Sequence, residues 1–426
     1  MTMSYPAIAL APEPADASAP RSANPAIPPG RAGRIAKRHR RRRARSRVRY
    51  ADVRRFVSQV LADDFHAARV ESLADGVMGV IHAAALAVHL IGQGLAQAKG
   101  LVAKHAIKQM DRLLSNTGIS LERFFARWVP FVLGQREEAV LALDWTEFDD
   151  DDHSTLALYL IAAHGRATPM MWMTVQKSEI KGWRNAHEDA LLRQFAQLRP
   201  QTVKQATVLA DRGFGDQKLY PYLQQLRLDF VIRCKGLITV EGPSGLTKTA
   251  DEWVLDAGRA RMISDAKVTG DKTGVPAVVV VHARGMKESW CLATSRSDLT
   301  ASEVVKMYGK RFRIEENFRD TKDQRFGMGL RQTHIKRADR RDRVLMLATM
   351  AQALLTLLGA AAEQVGLDRK LKANTVKSRT HSLLRQGLYW YGAIPTMPKE
   401  WLEPLMKAFG TLLAQQAFFS EIFGSL

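Results

Sequence analysis

The segment AVLALDWTEF (residues 139–148) decides how the chain must fold. Its apolar side chains occupy both odd and even positions, so both faces of a strand here would be buried, which is typical of the middle of a sheet. Asp144 interrupts the apolar run. Because an unpaired carboxylate is costly to desolvate there, we expect Asp144 to bind a cation, either a basic side chain or a metal ion.

The chain after this segment continues the predicted sheet. The acidic run 149–152 suits a solvated turn, and segments 154–163 and 168–176 predict two more strands of an antiparallel meander. An amphipathic helix is predicted at 185–198 and a short buried strand at 207–210.

That short strand ends at Asp211, with Gly213 and Gly215 as turn residues. A helix at 219–228 and a strand at 229–234 follow. The order of three strands, helix, strand, helix and strand predicts an α/β (mixed α+β) fold of the ribonuclease-H-like type, which is a mixed sheet with helices on its faces.

We expect the remaining chain to add to this core. Predicted short strands at 237–240, 261–263, 277–283 and 290–293 form a β-rich insertion, and helices are predicted at 301–324 and 338–364. The predicted regions are a disordered basic leader (1–50), a helical DNA-binding domain (51–135), the first part of the core (136–234), the insertion (235–300), the second part of the core (301–370) and a C-terminal helical region that could serve dimerisation (371–426). A plain helical bundle explains 51–135 almost as well, since no helix-turn-helix is evident.

Charge points to a polyanionic partner. The chain has 63 Lys and Arg against 43 Asp and Glu, a net charge of +20, of which residues 1–50 carry +10. Nucleic acid is the commonest polyanion, and an acidic membrane surface is the alternative. We expect the run Arg40, Arg41, Arg42 and Arg43 to contact DNA, while a solvated tail or a transit peptide would explain it too. Two cysteines cannot build a disulfide framework.

Two apolar stretches, 76–98 and 344–362, approach the length that spans a bilayer. Arginine-rich flanks on both sides of each stretch give no orientation signal. We expect both to be buried helices of a soluble protein with no membrane partner, and a membrane or nucleoid structural protein is the alternative.

The helix YGKRFRIEENFRDTK (residues 308–322) groups four polar side chains. At 100° per residue, Tyr308, Arg311, Glu315 and Lys322 fall within a sector of about 60°. A guanidinium and an ammonium suit phosphate, and a carboxylate among them suits a metal. An ordinary amphipathic helix with Glu–Arg pairs is the plain alternative.

Three carboxylates, Asp144, Asp211 and Glu315, can meet only if the sheet brings their elements together. Oxygen ligands without a His or Cys set favour Mg²⁺ or Mn²⁺. Two such ions would activate water or a 3′-hydroxyl for an in-line phosphoryl displacement.

These motifs resemble the DDE transposases of bacterial insertion sequences, in the insertion-sequence-four family with its Y-R-E-K signature. Tyr308, Arg311, Glu315 and Lys322 match every spacing of that signature. ALDWTEF around Asp144 looks like the first Asp strand of the family. LADRGFG looks like the second Asp motif, and the resemblance spans about residues 135–330.

The resemblance implies a metal-dependent polynucleotidyl transferase. It implies that the three acids hold two ions, that Tyr308, Arg311 and Lys322 hold transposon-end phosphates, and that Trp290 stacks on a flipped base during hairpin formation. A core tryptophan on a strand is the alternative for Trp290. The expected activity is cut-and-paste DNA transposition by a homodimer at terminal inverted repeats and target DNA, in the bacterial cytoplasm on the nucleoid. A catalytically inactive, DNA-binding descendant is the alternative.

Overall fold

The computed structural model describes residues 48–255, 258–325 and 327–415. Arg40, Arg41, Arg42 and Arg43, and nearly all of the predicted basic leader, lie outside the described residues. Their contact with DNA therefore stays a prediction.

Helices open the described chain, as the sequence predicts. They are α1 (Tyr50–Leu61), α2 (Ala67–Ala83), α3 (Val88–Lys99), α4 (Ala103–Ser115) and α5 (Leu121–Leu133). Ser120 caps α5 by accepting a hydrogen bond from the backbone N–H of Arg123. Trp128 of α5 is fully buried, and its indole N–H donates to the carbonyl of Pro169 at 2.8 Å. This contact fixes the helical region against the sheet, and the predicted N-terminal helices are confirmed.

One mixed sheet forms the centre of the protein. Its strands are β1 (Glu138–Phe148), β2 (His153–Ile161), β3 (Ala167–Gln176), β4 (Gln205–Ala210), β5 (Asp229–Cys234), β6 (Thr239–Glu241), β7 (Thr247–Thr249), β8 (Arg261–Val268), β9 (Thr273–Val281) and β10 (Trp290–Thr294). Their order in the sheet is β3-β2-β1-β4-β5-β10-β9-β8-β6-β7. The first three strands are an antiparallel meander, and β4 and β5 run parallel to β1. The predicted mixed α/β fold is confirmed.

The strands of the predicted insertion extend this same sheet. β10 pairs antiparallel with β5, so that Cys291 lies opposite Cys234, and β9 continues from β10. The strands predicted from the sequence did not include β7, and the predicted versions of β8 and β9 were shorter than the observed strands. Strand partners far apart in the chain leave no local signal, and therefore the sequence pattern could not show that the insertion joins the core edge to edge.

The remaining helices cover the sheet and close the chain. They are α6 (Lys177–Ile180), α7 (Arg184–Leu198), α8 (Leu219–Gln225), α9 (Ala301–Gly309), α10 (Arg313–Lys322), α11 (Ala338–Gln364), α12 (Leu383–Ala393) and α13 (Lys399–Ala414).

The predicted continuous helix at 301–324 is wrong in its middle. A capping box of Thr300 and Glu303 starts α9, but Lys310–Phe312 forms a 3₁₀ turn before α10 begins. Gly309, a weak helix former, lies at the junction. Because a 3₁₀ turn advances about 120° per residue, the sector calculated for Tyr308 to Lys322 does not hold across it.

Helix α11 is long and apolar enough to cross a membrane, and its apolar window is 100% buried inside the structure. Helices α2 and α3 would pass the same test together but are bent by 95°. Where α12 crosses α11, the glycines leave no room for a side chain: a Cβ on Gly387 would lie 1.8 Å from the carbonyl oxygen of Leu355. Such burial is typical of a core helix.

Candidate active site

Asp144 and Asp211 lie side by side on neighbouring parallel strands. The register pairs Leu143 of β1 with Ala210 of β4, and the next residue on each chain is an aspartate. Neighbouring strands are about 4.8 Å apart, so the two backbones hold the carboxylates close together. β4 ends at Ala210, which leaves Asp211 free of the ladder, and its Oδ1 accepts from the backbone N–H of Gly213 at 2.8 Å.

Arg311 joins the third acid to this pair. Its guanidinium donates to Asp144 Oδ2 at 3.1 Å and to Glu315 Oε1 at 2.6 Å. The Arg311 side chain is 7% exposed, whereas the Glu315 side chain is 49% exposed. The site is therefore closed on the sheet side and open to solvent at Glu315.

Burial raises the pKa of Asp144 to about 6. The Arg311 guanidinium opposes this rise, while the negative charges of Asp211 and Glu315 add to it. The three carboxylates thus act on one another electrostatically, as groups of one site do.

These residues fit a hard divalent cation in chemistry, since all the donors are carboxylate oxygens. Within the described ranges, no three His, Cys, Asp or Glu side chains already surround a common metal position. Arg311 instead supplies the positive charge that Asp144 and Glu315 share.

Tyr308 points into the same site but is buried. Its ring lies edge-on to Trp290 with centroids 5.0 Å apart, and the Arg311 guanidinium lies 6.0 Å from its centroid. Burial raises the pKa of the Tyr308 phenol to about 12, and Arg311 and Arg233 lower it in part. The sequence placed this phenol on an accessible helix edge; the structure places it beneath Arg311.

Lys322 is held against β1 rather than projecting from α10. Its ammonium donates to Thr146 Oγ1 at 3.0 Å and to the carbonyl of Glu147 at 2.6 Å, and it lies 4.6 Å from the centroid of Phe148. Burial lowers the pKa of Lys322 to about 8, with the nearby Arg331 charge acting in the same direction. The ammonium therefore lies beside the strand that carries Asp144.

Trp290 begins β10 and packs against Tyr308 and Phe312, the latter at 6.3 Å between centroids. These contacts agree with a packing role, and stacking on a flipped base stays a prediction. Phe312 is 44% exposed beside Arg311. Sequence reasoning missed it because the helical sector calculation did not include the residue after Arg311.

The acidic turn is exposed at Asp149, Asp150 and Asp152, as a solvated turn would be, and the prediction is wrong only for Asp151. Asp151 is buried and accepts a hydrogen bond from Arg341, which also donates to His153 Nδ1 at 3.0 Å. The Arg341 guanidinium lies 3.9 Å from the centroid of Phe148, on the strand that Lys322 contacts. Arg341 is 190 positions from Asp151, so no local pattern pointed to the pair.

Comparison with known proteins adds a family match. Residues 175–353, about two fifths of the chain, match the family model described as a transposase DDE domain. The matched segment contains Asp211, Tyr308, Arg311, Glu315 and Lys322, and it begins after Asp144.

No curated protein matches the chain. Among solved structures, the chain is similar to the cryo-EM structure of a piggyBac transposase synaptic complex with hairpin DNA. That similarity has 8% sequence identity and a TM-score of 0.40, over 90% of this chain and 80% of that one. The family match supports a DDE transposase, a class of enzyme that generally uses divalent metal ions.

Proposed function

We propose that this protein cleaves DNA strands at the ends of its own mobile element and joins those ends to target DNA. The observation that carries the proposal is the neighbouring register of Asp144 and Asp211, with Glu315 linked to Asp144 through Arg311. Assembled acids from two strands and a late helix, in a strongly basic chain, suit reaction at a phosphodiester.

Asp144, Asp211 and Glu315 would hold Mg²⁺ or Mn²⁺, two ions in each site. Such ions would lower the pKa of water or a 3′-hydroxyl and stabilise the leaving oxygen. The raised pKa of Asp144 supports this assignment, because a divalent cation offsets the burial that disfavours its charged form.

The cationic residues would bind and orient the DNA. Arg311 now has two carboxylate acceptors, and its fork geometry would bind a phosphate equally well once those carboxylates ligate metal. Lys322 would place a point charge beside β1, and Tyr308 would donate its hydroxyl to a phosphate oxygen near Asp211. Trp290 would stack on a base if the ends pass through a hairpin.

The finer features belong to the same proposal. Membership of the insertion-sequence-four family rests on the four spacings of the Y-R-E-K signature. Two cleavages need two active sites, so a homodimer would hold the two terminal inverted repeats, in the bacterial cytoplasm on the nucleoid. Residues 51–135 and Arg40–Arg43 would add contacts to DNA.

The test is cleavage of labelled DNA that carries the element's terminal repeats, with Mg²⁺, Mn²⁺ or EDTA. We expect metal-dependent nicking by the natural protein and none by Glu315→Gln. Glu316→Gln is the matched control, because Glu316 neighbours Glu315 on α10, has similar exposure and pairs instead with Arg166 at 3.1 Å. Full activity in Glu315→Gln would overturn the proposal. DNA binding without cleavage by the natural protein would favour an inactive, DNA-binding descendant.

A further inference from the structure

A tryptophan stands exposed beside the proposed active site. Trp183 precedes α7 in the segment Lys181-Gly182-Trp183, and it is 66% exposed. Gly182 takes a φ of +82°, a conformation that turns the chain just before the tryptophan. A single exposed apolar side chain is common on proteins, so its surroundings decide whether it can bind anything.

The residue after Trp183 contacts both proposed aspartate motifs. The Arg184 guanidinium lies 5.2 Å from the centroid of Trp145, which follows Asp144, and 6.0 Å from that of Phe214, in the turn after Asp211. Buried Glu188 holds this arrangement, since it accepts from Arg184 Nε at 3.2 Å and from Trp145 Nε1 at 2.8 Å. Arg184 is therefore fixed next to the acids.

A second contact ties the start of α7 to the Asp211 turn. The Asn185 side chain donates to Asp216, and a Cβ on Gly213 would lie 3.9 Å from Arg184 Nη2. Trp183 directly precedes these two anchored residues, so its backbone lies beside the same turn. The exposed indole thus has a defined position relative to Asp211.

Two cations flank Trp183 in the chain. Lys181 and Arg184 are both exposed, and the Arg184 side chain is 43% exposed. Within the described ranges, only Nε of Arg184 has a hydrogen-bond partner, so both terminal nitrogens can donate to a ligand. An exposed aromatic ring among cations suits single-stranded nucleic acid, in which bases stack and phosphates pair with cations.

We propose that Trp183 stacks on an unpaired base of a DNA strand and that Arg184 binds the adjoining phosphate, beside the three acids. The inference rests on the proposed function for the choice of DNA as ligand. It adds a strand-binding site that Tyr308, Arg311, Lys322 and Trp290 do not supply, from a segment that lies between Asp144 and Asp211 in the sequence. A protein partner at the same indole is the competing occupant, and the test separates the two.

The experiment compares two fluorescein-labelled probes on the full chain without metal: a single-stranded oligothymidylate, and an abasic chain of the same length. Both probes carry the same phosphates, so the rest of the basic protein binds them alike. We expect Trp183→Ala to weaken binding of the thymidylate probe by about 5- to 150-fold and to leave the abasic probe unchanged. Trp183→Phe should keep most of the affinity, because a phenyl ring stacks too.

Tyr389→Ala is the matched control, since Tyr389 is an exposed aromatic residue (56%) on α12. It should leave both probes unchanged. Arg184→Gln should weaken both probes, while Arg184→Lys should keep abasic binding. Photocrosslinking of a probe containing 5-bromouracil should label the peptide with Trp183.

Equal affinities of Trp183→Ala and the natural protein for the thymidylate probe, with crosslinks at other peptides only, would overturn the inference. Equal loss on both probes would do so as well, because stacking needs a base. Since no cleavage is measured, a protein that binds through Trp183 but never cuts DNA would support this inference while contradicting the proposed function.

Discussion

Two buried arginines each hold a carboxylate near β1, and their surroundings differ. Arg311 is shared between Asp144 and Glu315, and Glu315 is half-exposed. Arg341 and its partner Asp151 are 0% and 1% exposed, and the guanidinium is further covered by Phe148. An ion pair that opens to solvent can exchange its partner for a ligand, whereas a sealed pair can only hold the fold together. The comparison therefore assigns chemistry to the Arg311 site and stability to the Arg341 site.

The largest expected effect tests the Arg311 site, which is open to solvent and is called the open site below. Asp144→Asn should lower metal-dependent strand cleavage by about a thousandfold or more, which corresponds to roughly 4 kcal/mol. Its urea midpoint should not fall, because a neutral amide avoids the burial cost that raises the pKa of Asp144. Asp151→Asn should show the reverse pattern, with a lower midpoint and cleavage within a few-fold of natural. If both variants changed strand cleavage and the urea midpoint in the same way, the assignment of chemistry to one site and stability to the other would be contradicted.

The next largest effect tests the Arg341 site, which is closed to solvent and is called the sealed site below. Arg341→Met removes the main cation from buried Asp151, leaving Lys336 Nζ at 3.5 Å. Breaking a buried pair in this way costs about 3–5 kcal/mol, which urea denaturation followed by circular dichroism would measure. Arg340→Met is the control, because Arg340 pairs with the exposed Asp111, and its cost should stay within about 1 kcal/mol. A loss no greater than the control's would show that Arg341 does not stabilise the fold.

A third carboxylate extends the comparison, since it is enclosed without a cation hydrogen-bonded to it. Asp342 Oδ1 has no partner in the described part of the chain, and Oδ2 accepts from the backbone N–H of Thr174 at 3.4 Å. Burial raises the pKa of Asp342 to about 7. The folded state therefore binds a proton more tightly than the unfolded state, and stability present at acid pH is lost as pH rises from about 4 through 7.

Asp342→Asn removes this titration. Relative to the natural protein, the variant should gain about 4 kcal/mol of unfolding free energy between pH 4 and pH 8, because each unit of pKa difference contributes about 1.4 kcal/mol. The measurement is urea denaturation at several pH values. Asp339→Asn, on the same turn of α11, should change stability with the opposite sign, because burial raises the pKa of Asp339 less than the hydrogen bonds from Arg343 and Arg337 lower it. Parallel stability curves for Asp342→Asn and the natural protein would contradict the assignment of the raised pKa to Asp342.

The sequence predicted the open site better than the sealed one for a physical reason. Asp144 and Asp211 each lie in or directly after an apolar strand. A charged residue in such a strand breaks the local pattern and therefore indicates a functional position. Glu315 follows Arg311 at a spacing of four on a helix, which is also a local signal. Arg341 and Asp151 meet only after α11 has packed on the sheet, and each looks like an ordinary surface residue in sequence.

The same reason accounts for the errors in the fold. Strand periodicity placed β1 to β5 closely, since period-two patterns and turn residues are local. It could not show that β10 joins β5, because that pairing depends on partners over fifty residues apart. The 3₁₀ turn at Lys310–Phe312 was missed because helical periodicity continues on both sides of it. Trp183 was missed because the contacts that position its neighbour Arg184, those with Trp145 and Phe214, involve residues of other elements.

The smallest expected effect on stability concerns an ion pair that is exposed to solvent. Lys399 and Glu403 form an ion pair at 3.3 Å on α13, with side chains 78% and 67% exposed. Water screens both charges and the long side chains lose entropy on pairing, so Lys399→Ala should change the unfolding free energy by about 0.5 kcal/mol or less. Urea denaturation at low and high salt would measure it, and the small difference should shrink further at high salt. A loss comparable to that of Arg341→Met would mean that burial does not govern the strength of ion pairs in this protein, and the contrast between Arg311 and Arg341 would then need another cause.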